Sequence, residues 1–254
     1  MDLSIVIPCY NEVESLPSLW RDLSPALDGL ARSRTVELFL VDDGSADGTY
    51  DSLAHMAATC PIGGVQIQVL WHPRNRGLGA ALRTGLRSAR GDVVVTTDCD
   101  GTYRFAEIPA LLRSLTAGAD IVVASPYHPQ GGVAGVPPVR LLLSKGSSAL
   151  YRLLVSPAVH TYTSLFRAYR RAVVQDVAFE SDGFLGGTEL LVRAILQGRR
   201  VAEYLTILSV RAHGTSKARL LRTILAHVRF LGRVALHRLR VQPLSLGAPT
   251  GDQP

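Results

Sequence analysis

The sequence is poor in the residues that make disulfide scaffolds, disordered tails and membrane spans. Its 254 residues include three cysteines, Cys9, Cys60 and Cys99, too few and too scattered for a disulfide framework and in no metal-binding spacing. A reducing compartment is the expectation. Charge is also scarce: 19% of residues are charged and 47% hydrophobic, which excludes a disordered chain, since burial of this much apolar surface offsets the entropy of ordering. No apolar run approaches the ~20 residues that span a bilayer, because Lys145, Arg152, Arg222 and Arg229 interrupt every candidate. The opening MDLSIVIP enters an apolar strand pattern without a basic segment or cleavage site, so no export is expected.

One further scarcity is local. Residues 211–240 hold no carboxylate but carry Arg211, Lys217, Arg219, Arg222, Arg229, Arg233, Arg238 and Arg240, within a chain of formal net charge +6. Such asymmetry points to a polyanion, either nucleic acid or an anionic lipid surface.

What is present is an alternation. Apolar runs at 3–8, 36–41, 65–71, 93–97 and 121–125 are strand-length and end on polar or Gly/Pro signals. Helix-like stretches at 15–32, 48–58, 77–89 and 107–117 separate them. That pattern predicts an α/β fold with a mostly parallel sheet and helices on both faces. Ligands of such sheets bind beyond the carboxyl ends of the strands. The residues there are Cys9–Glu12, Asp42–Ser45, His72–Gly77, Asp98–Gly101 and the loop 126–135.

Further on, helices are expected over 140–155, 188–196 and 218–239, and strands over 163–169 and 201–210. The domain reading is a catalytic unit over 1–217, a basic amphipathic helix over 218–240 and a disordered tail over 241–254. On a helical wheel Leu221, Ile224, Leu225, Val228, Leu231, Ala235 and Leu239 share a face, with Arg222, Arg229, Arg233 and Arg240 beside it. A helix of this kind either lies at an anionic membrane surface or docks on the catalytic unit.

The sharpest chemical signal is Asp98-Cys99-Asp100 at the end of a strand. Two carboxylates this close repel unless a cation or proton lies between them, and a hard divalent ion completed by phosphate oxygens is the common solution. A chance pair is the bland alternative. Asp42-Asp43 can accept from a nucleobase or ribose, or can serve the turn that Asp47 caps.

Four segments, IVIPCYNE at 5–12, VDDGSADGT at 41–49, NRGLGAALRTG at 75–85 and DCDG at 98–101, together resemble the family 2 glycosyltransferases. SPYHPQGG, RLLLSKG, TSLFRAYRR, GF-x4-E at 183–189 and RAHGTSK at 211–217 are similar to the branch of dolichol-phosphate mannose synthases and related polyprenyl-phosphate sugar transferases. The resemblance implies a GT-A fold and an inverting transfer of a hexose, mannose or glucose, from a nucleoside diphosphate (GDP-mannose or UDP-glucose) to polyprenyl phosphate. It also implies a cytoplasmic enzyme, peripheral at the inner face of the membrane.

Carried over residue by residue, Pro8, Tyr10 and Glu12 would line the nucleotide, with Asp42 and Asp43 at the base. Asp98 and Asp100, flanking Cys99, would hold Mg2+ or Mn2+. Arg140, Ser144, Arg211 and Lys217 would meet the phosphates. Glu189 is a candidate base if the acceptor is instead a hydroxyl of a small molecule or glycan, and otherwise a carboxylate favoured by the helix dipole. The chain departs from the branch at Pro126, where an Arg is usual, and at His213.

Three rival classes fit less well. A dinucleotide fingerprint fails at Leu82, where its third glycine belongs. A nucleic-acid module leaves the carboxylate-lined sheet edge without purpose, because acids repel phosphates unless a metal intervenes. A serine hydrolase lacks the G-x-S-x-G elbow.

Overall fold

Strand β1 (Leu3–Cys9) lies between β2 (Val36–Asp42) and β4 (Val93–Thr96), parallel to both, and β3 (Val65–Trp71) extends that edge. β1 and β2 are buried along their whole length, which is why their sequences run apolar without alternation. In this computed structural model, the described residues are 1–115, 118–210 and 220–244. Arg211 and Lys217, the departure at His213 and the tail from residue 245 lie outside them.

The main sheet has seven strands in the order β3-β2-β1-β4-β7-β5-β8, with β5 at Ile121–Ser125, β7 at Arg167–Arg170 and β8 at Val201–Leu205. β7 runs antiparallel between β4 and β5, while β8 pairs parallel to β5 at the edge. The sheet is therefore mixed at its second half. The expected strand over 201–210 divides at Thr206, whose hydroxyl donates to Glu107 Oε2 at 2.5 Å. Its second part, β9 (Ile207–Leu208), leaves the main sheet and pairs with β6 (Gly132–Val133).

Helices α1 (Leu16–Ala31), α2 (Thr49–Thr59), α3 (Leu78–Ser88) and α4 (Ile108–Arg113) fall where the alternation places them. α1 buries Leu16, Leu19, Leu23, Leu27 and Leu30, a strict three-to-four residue repeat that forms one face of the core. α5 (Pro138–Leu154), the short α6 (Arg171–Asp176), α7 (Gly186–Leu196) and α8 (Leu220–Arg238) complete the chain. Glycines let α3 and α7 come together: a Cβ on Gly186 would stand 2.7 Å from Gly79 Cα. That approach seats α7 against the end of the sheet where the site forms.

α8 docks on α5 through His227, Phe230, Leu231 and Val234. Tyr151 of α5 contacts both His227 and Phe230. Arg238 fastens the other end, donating to the carbonyls of Leu154 at 3.0 Å and Val155 at 2.6 Å. The stripe expected from the helical wheel is thus divided. Leu231 is buried, but Leu221, Leu225, Val228 and Leu239 stay exposed. Leu244, assigned by sequence to a disordered tail, is 6% exposed and packs in the core, its N–H donating to His237 Nδ1.

Candidate active site

The loop after β1 is pinned by the loop after β2. Asn11 adopts φ 51° and accepts from the Ala46 N–H, while its own N–H donates to Ser45 Oγ. Glu12 N–H donates to Thr49 Oγ1, and Val13 N–H to Asp47 Oδ2. Asparagine tolerates this left-handed backbone better than most residues. The result is a rigid rim that turns Pro8, Tyr10 and Glu12 towards the end of the sheet.

Asp43 builds the opposite wall. Its Oδ1 accepts from His72 Nδ1 at 2.6 Å and the Arg76 N–H at 3.0 Å. Its Oδ2 accepts from Asn75 Nδ2 at 2.9 Å and the Gly77 N–H at 2.7 Å. Four donors saturate both oxygens, so this carboxylate folds the 72–77 loop. Gly77 itself sits at φ 107°, and a Cβ there would overlap the carbonyl oxygen of Asp182. Asp42 accepts from the Ser45 N–H at 3.2 Å, whereas its Oδ1 is buried with no hydrogen-bond partner among the described residues.

These walls enclose a cavity of about 370 Å3 that brings together Pro8, Tyr10, Glu12 and Asp43 with Asp98, Cys99 and Asp100. Asn75, Leu78 and Phe184 line it as well. Sequence reasoning assigned those three no role, although all three stand inside motifs that it quoted.

Asp100 is 5% exposed, and its Oδ1 accepts from the N–H and hydroxyl of Thr102. Cys99 is held differently. A hydrogen bond with the Cys9 thiol, then burial, pushes its own thiol well above the usual range. It remains a neutral thiol, and the donor set facing the cavity consists of hard carboxylate oxygens. That set fits Mg2+ or Mn2+ better than a softer ion.

Asp98 also lines a second, narrow cavity of about 70 Å3 with Tyr127, Arg140, Ser144 and Thr163. The hydroxyls there form a chain: Tyr127 donates to Ser144 Oγ at 2.8 Å, and Ser144 lies 2.5 Å from Thr163 Oγ1. Arg140 and Ser144 continue into a groove of about 600 Å3 between α5 and α8, whose wall includes Val139, Leu143, Phe184, Leu220 and Ile224.

Glu189 lies apart from both cavities. It is 1% exposed on α7, its Oε2 accepts from the Ser181 N–H at 2.9 Å, and its Oε1 stands 2.7 Å from the equally buried Arg193 guanidinium. Arg104 is exposed and lines neither cavity.

Comparison with known proteins agrees with this architecture. Residues 4–178 match the model of glycosyl transferase family 2. A polyprenol monophosphomannose synthase of Mycolicibacterium smegmatis is 35% identical over 84% of this chain and 79% of its own length. An undecaprenyl-phosphate mannosyltransferase of Micrococcus luteus is 34% identical over 85% of this chain and 87% of its own. A dolichol-phosphate mannosyltransferase of Pyrococcus furiosus is 31% identical over 92% of this chain and 64% of its own.

Among solved structures, glucosyl-3-phosphoglycerate synthase of Mycobacterium tuberculosis, crystallised with Mn2+ and UDP, superposes with a TM-score of 0.65 at 23% identity. That superposition covers 95% of this chain and 81% of the other, a likeness of fold. With the sheet, the cavity at its carboxyl edge and these relatives in agreement, the chain belongs to glycosyl transferase family 2 and is a nucleotide-sugar-dependent hexosyltransferase with a GT-A-like fold.

Proposed function

We propose that the chain transfers a hexose, mannose first among the candidates, from a nucleoside diphosphate to polyprenyl phosphate, with inversion and with Mg2+ or Mn2+ at Asp98 and Asp100. One observation carries the reading: Asp98 lines both the cavity walled by Pro8, Tyr10 and Asp43 and the cavity walled by Arg140 and Ser144. A sugar–diphosphate bond placed at Asp98 would have the nucleotide on one side and an incoming anion on the other. The three relatives described above are all mannose enzymes of lipid phosphates.

Each residue then has a task. Whereas the sequence-assigned Asp42 is buried and falls outside the cavity lining, Pro8, Tyr10 and Glu12 line the cavity and position the nucleotide. A divalent ion bound there would neutralise the charge that develops on the departing diphosphate. Arg140, with the hydroxyls of Tyr127, Ser144 and Thr163, orients the acceptor phosphate. Arg211 and Lys217 are proposed to share the phosphate contacts. A phosphate monoester is already anionic at neutral pH, so attack needs orientation and no strong base. The position of Glu189, closed off by Arg193, supports that acceptor over a hydroxyl.

The groove between α5 and α8 begins at Arg140 and Ser144 and is walled mainly by apolar side chains. Its chemistry suits the first isoprene units of a lipid whose phosphate sits at Arg140. Exposed Leu142 and Leu153 on α5, with Leu221, Leu225 and Val228 on α8, offer apolar contact to a membrane, and Arg222 and Arg229 offer charge to its anionic headgroups. No helix of the described residues is long and apolar enough to cross a membrane, so contact at the surface is the mode proposed.

The test is a panel of labelled GDP-mannose, UDP-glucose and related donors, each with Mn2+ and with or without polyprenyl phosphate. Label that becomes solvent-extractable only with the lipid supports the proposal. Label confined to water-soluble product overturns it.

A further inference from the structure

Among the described residues, one group of three metal-capable side chains lies outside the cavities at Asp98: His128, His160 and Glu203, whose donor atoms fall within 4.8 Å of one another. They come from the turn after β5, the loop between α5 and β7, and the edge strand β8. Sequence separations of 32 and 43 residues hide the cluster from any motif search.

The cluster is ordered by the protein. Glu203 Oε1 accepts from the N–H groups of His160 at 2.7 Å and Thr161 at 3.3 Å, and its Oε2 lies 2.7 Å from His160 Nδ1. On the facing side His128 closes a turn: its carbonyl accepts from the Gly131 N–H, and its Nδ1 accepts from the Gln130 N–H. The two rings meet edge to face with centroids 4.7 Å apart. Holding the 160–161 backbone explains Glu203 and His160. It does not explain a second imidazole brought against the first.

We propose that His128, His160 and Glu203 form a second metal site, distinct from Asp98 and Asp100, that takes a zinc-like transition ion. Two imidazole nitrogens and a carboxylate suit zinc, whereas Mg2+ prefers oxygen donors throughout. The fourth position is left to water. Tetrahedral ligands at Zn–N distances of about 2.0–2.1 Å stand roughly 3.3 Å apart. Atoms at the 4.8 Å limit would therefore close by about 1.5 Å, and the Glu203–His160 contact at 2.7 Å would open by about 0.6 Å, both a matter of side-chain rotation.

The consequence reaches the acceptor side of the active site. Tyr127 adjoins His128 in sequence and Thr161 adjoins His160, and the Tyr127 N–H donates to Thr161 Oγ1 at 3.2 Å. A metal between the histidines braces the turn and the loop that present Tyr127 and Thr163 to Arg140. The inference does not depend on which sugar or acceptor the enzyme uses.

The full chain is titrated with Zn2+ in saturating Mg2+ by calorimetry, and with Co2+ as a spectroscopic stand-in. The expected result is one Zn2+ per chain that Mg2+ does not displace and that an Asp98→Asn/Asp100→Asn variant still binds. Affinity should fall by about tenfold or more in His128→Gln and in Glu203→Gln. At a hundredfold excess over Kd, Zn2+ should raise Tm by about 5–10 °C. X-ray absorption of the zinc-loaded natural chain should show two imidazoles and oxygen, a readout that needs no variant. No zinc binding, binding unchanged in His128→Gln and Glu203→Gln, binding lost with Asp98 and Asp100, or a first shell lacking two imidazoles would each overturn the proposal.

Discussion

Glu189 and Arg193 stand 2.7 Å apart on successive turns of α7, each with 1% of its side chain exposed. Buried pairs of this kind owe their persistence to mutual neutralisation, and removing one partner costs about 3–5 kcal/mol because the other charge is left stranded. Glu180, 61% exposed and 3.0 Å from Arg193, relieves part of that cost. Glu189→Gln is therefore expected to lower Tm by several degrees while transfer to polyprenyl phosphate keeps its kcat within a fewfold. A general base would show a loss of about 100-fold or more and an altered pH profile. Steady-state kinetics beside a thermal melt separates the two.

Asp43 is expected to behave as a folding residue. Asp43→Asn sets an amide NH2 against donors that its carboxylate now satisfies, at a cost of about 2–3 kcal/mol. The 72–77 loop should loosen, seen as faster amide exchange at Arg76 and Gly77 together with weaker nucleotide binding. Unchanged exchange at those amides would contradict the wall-building role.

His227 gives the fold an acid sensitivity. Burial pushes its pKa down to about 4, below the ordinary value near 6.5. Above pH 6.5 the imidazole is neutral in folded and unfolded chains alike. As pH falls from 6.5 towards 4 the unfolded chain takes up a proton that the folded chain refuses. Stability is lost at about 1.4 kcal/mol per pH unit across that window, with the loss complete below pH 4. Tm measured from pH 7 to pH 4.5 should fall less steeply in His227→Gln, and equal slopes would contradict this.

The exposed apolar stripe of α8 predicts a separable membrane effect. Leu221→Gln/Leu225→Gln/Val228→Gln changes side chains that are 51–78% exposed, so stability should hold. Flotation with anionic vesicles should drop by about tenfold, an expectation that burying several leucine-sized side chains in lipid supports. Equal flotation would place the membrane contact elsewhere.

The first half of the fold was legible because buried β1, β2, β4 and β5 read as apolar runs. Half-exposed β3 still carries Val65, Ile67, Val69 and Leu70, and most of these strands end at a polar set. β1 to β5 therefore fall within one or two residues of expectation, as do α1 to α3. β6 and β9 were not legible: two-residue strands carry no periodicity, and their pairing depends on where the 126–131 turn delivers the chain. Antiparallel β7 was expected as a strand, but its insertion between β4 and β5 is a long-range choice.

The cavity wall was legible through Pro8, Tyr10 and Glu12, and the carboxylate pair beside it through Asp98 and Asp100. For Glu189 sequence left two roles open and did not find its partner, although the i,i+4 spacing to Arg193 was in plain view. On α8 the helical wheel gave weight to leucines and none to His227, which meets Tyr151 together with Phe230.

The most direct measurement concerns the cation at Asp98 and Asp100. Binding of GDP-mannose and lipid-dependent transfer are followed in the natural chain and in Asp98→Ala/Asp100→Ala, each with Mn2+ and after chelation. Transfer should fall by at least about a thousandfold on chelation or in the double variant, an effect comparable to removing the electrostatic stabilisation of a leaving group. Donor affinity should fall with it, and readdition of Mn2+ should rescue only the natural chain. Transfer and affinity that survive both treatments would contradict a metal-centred site.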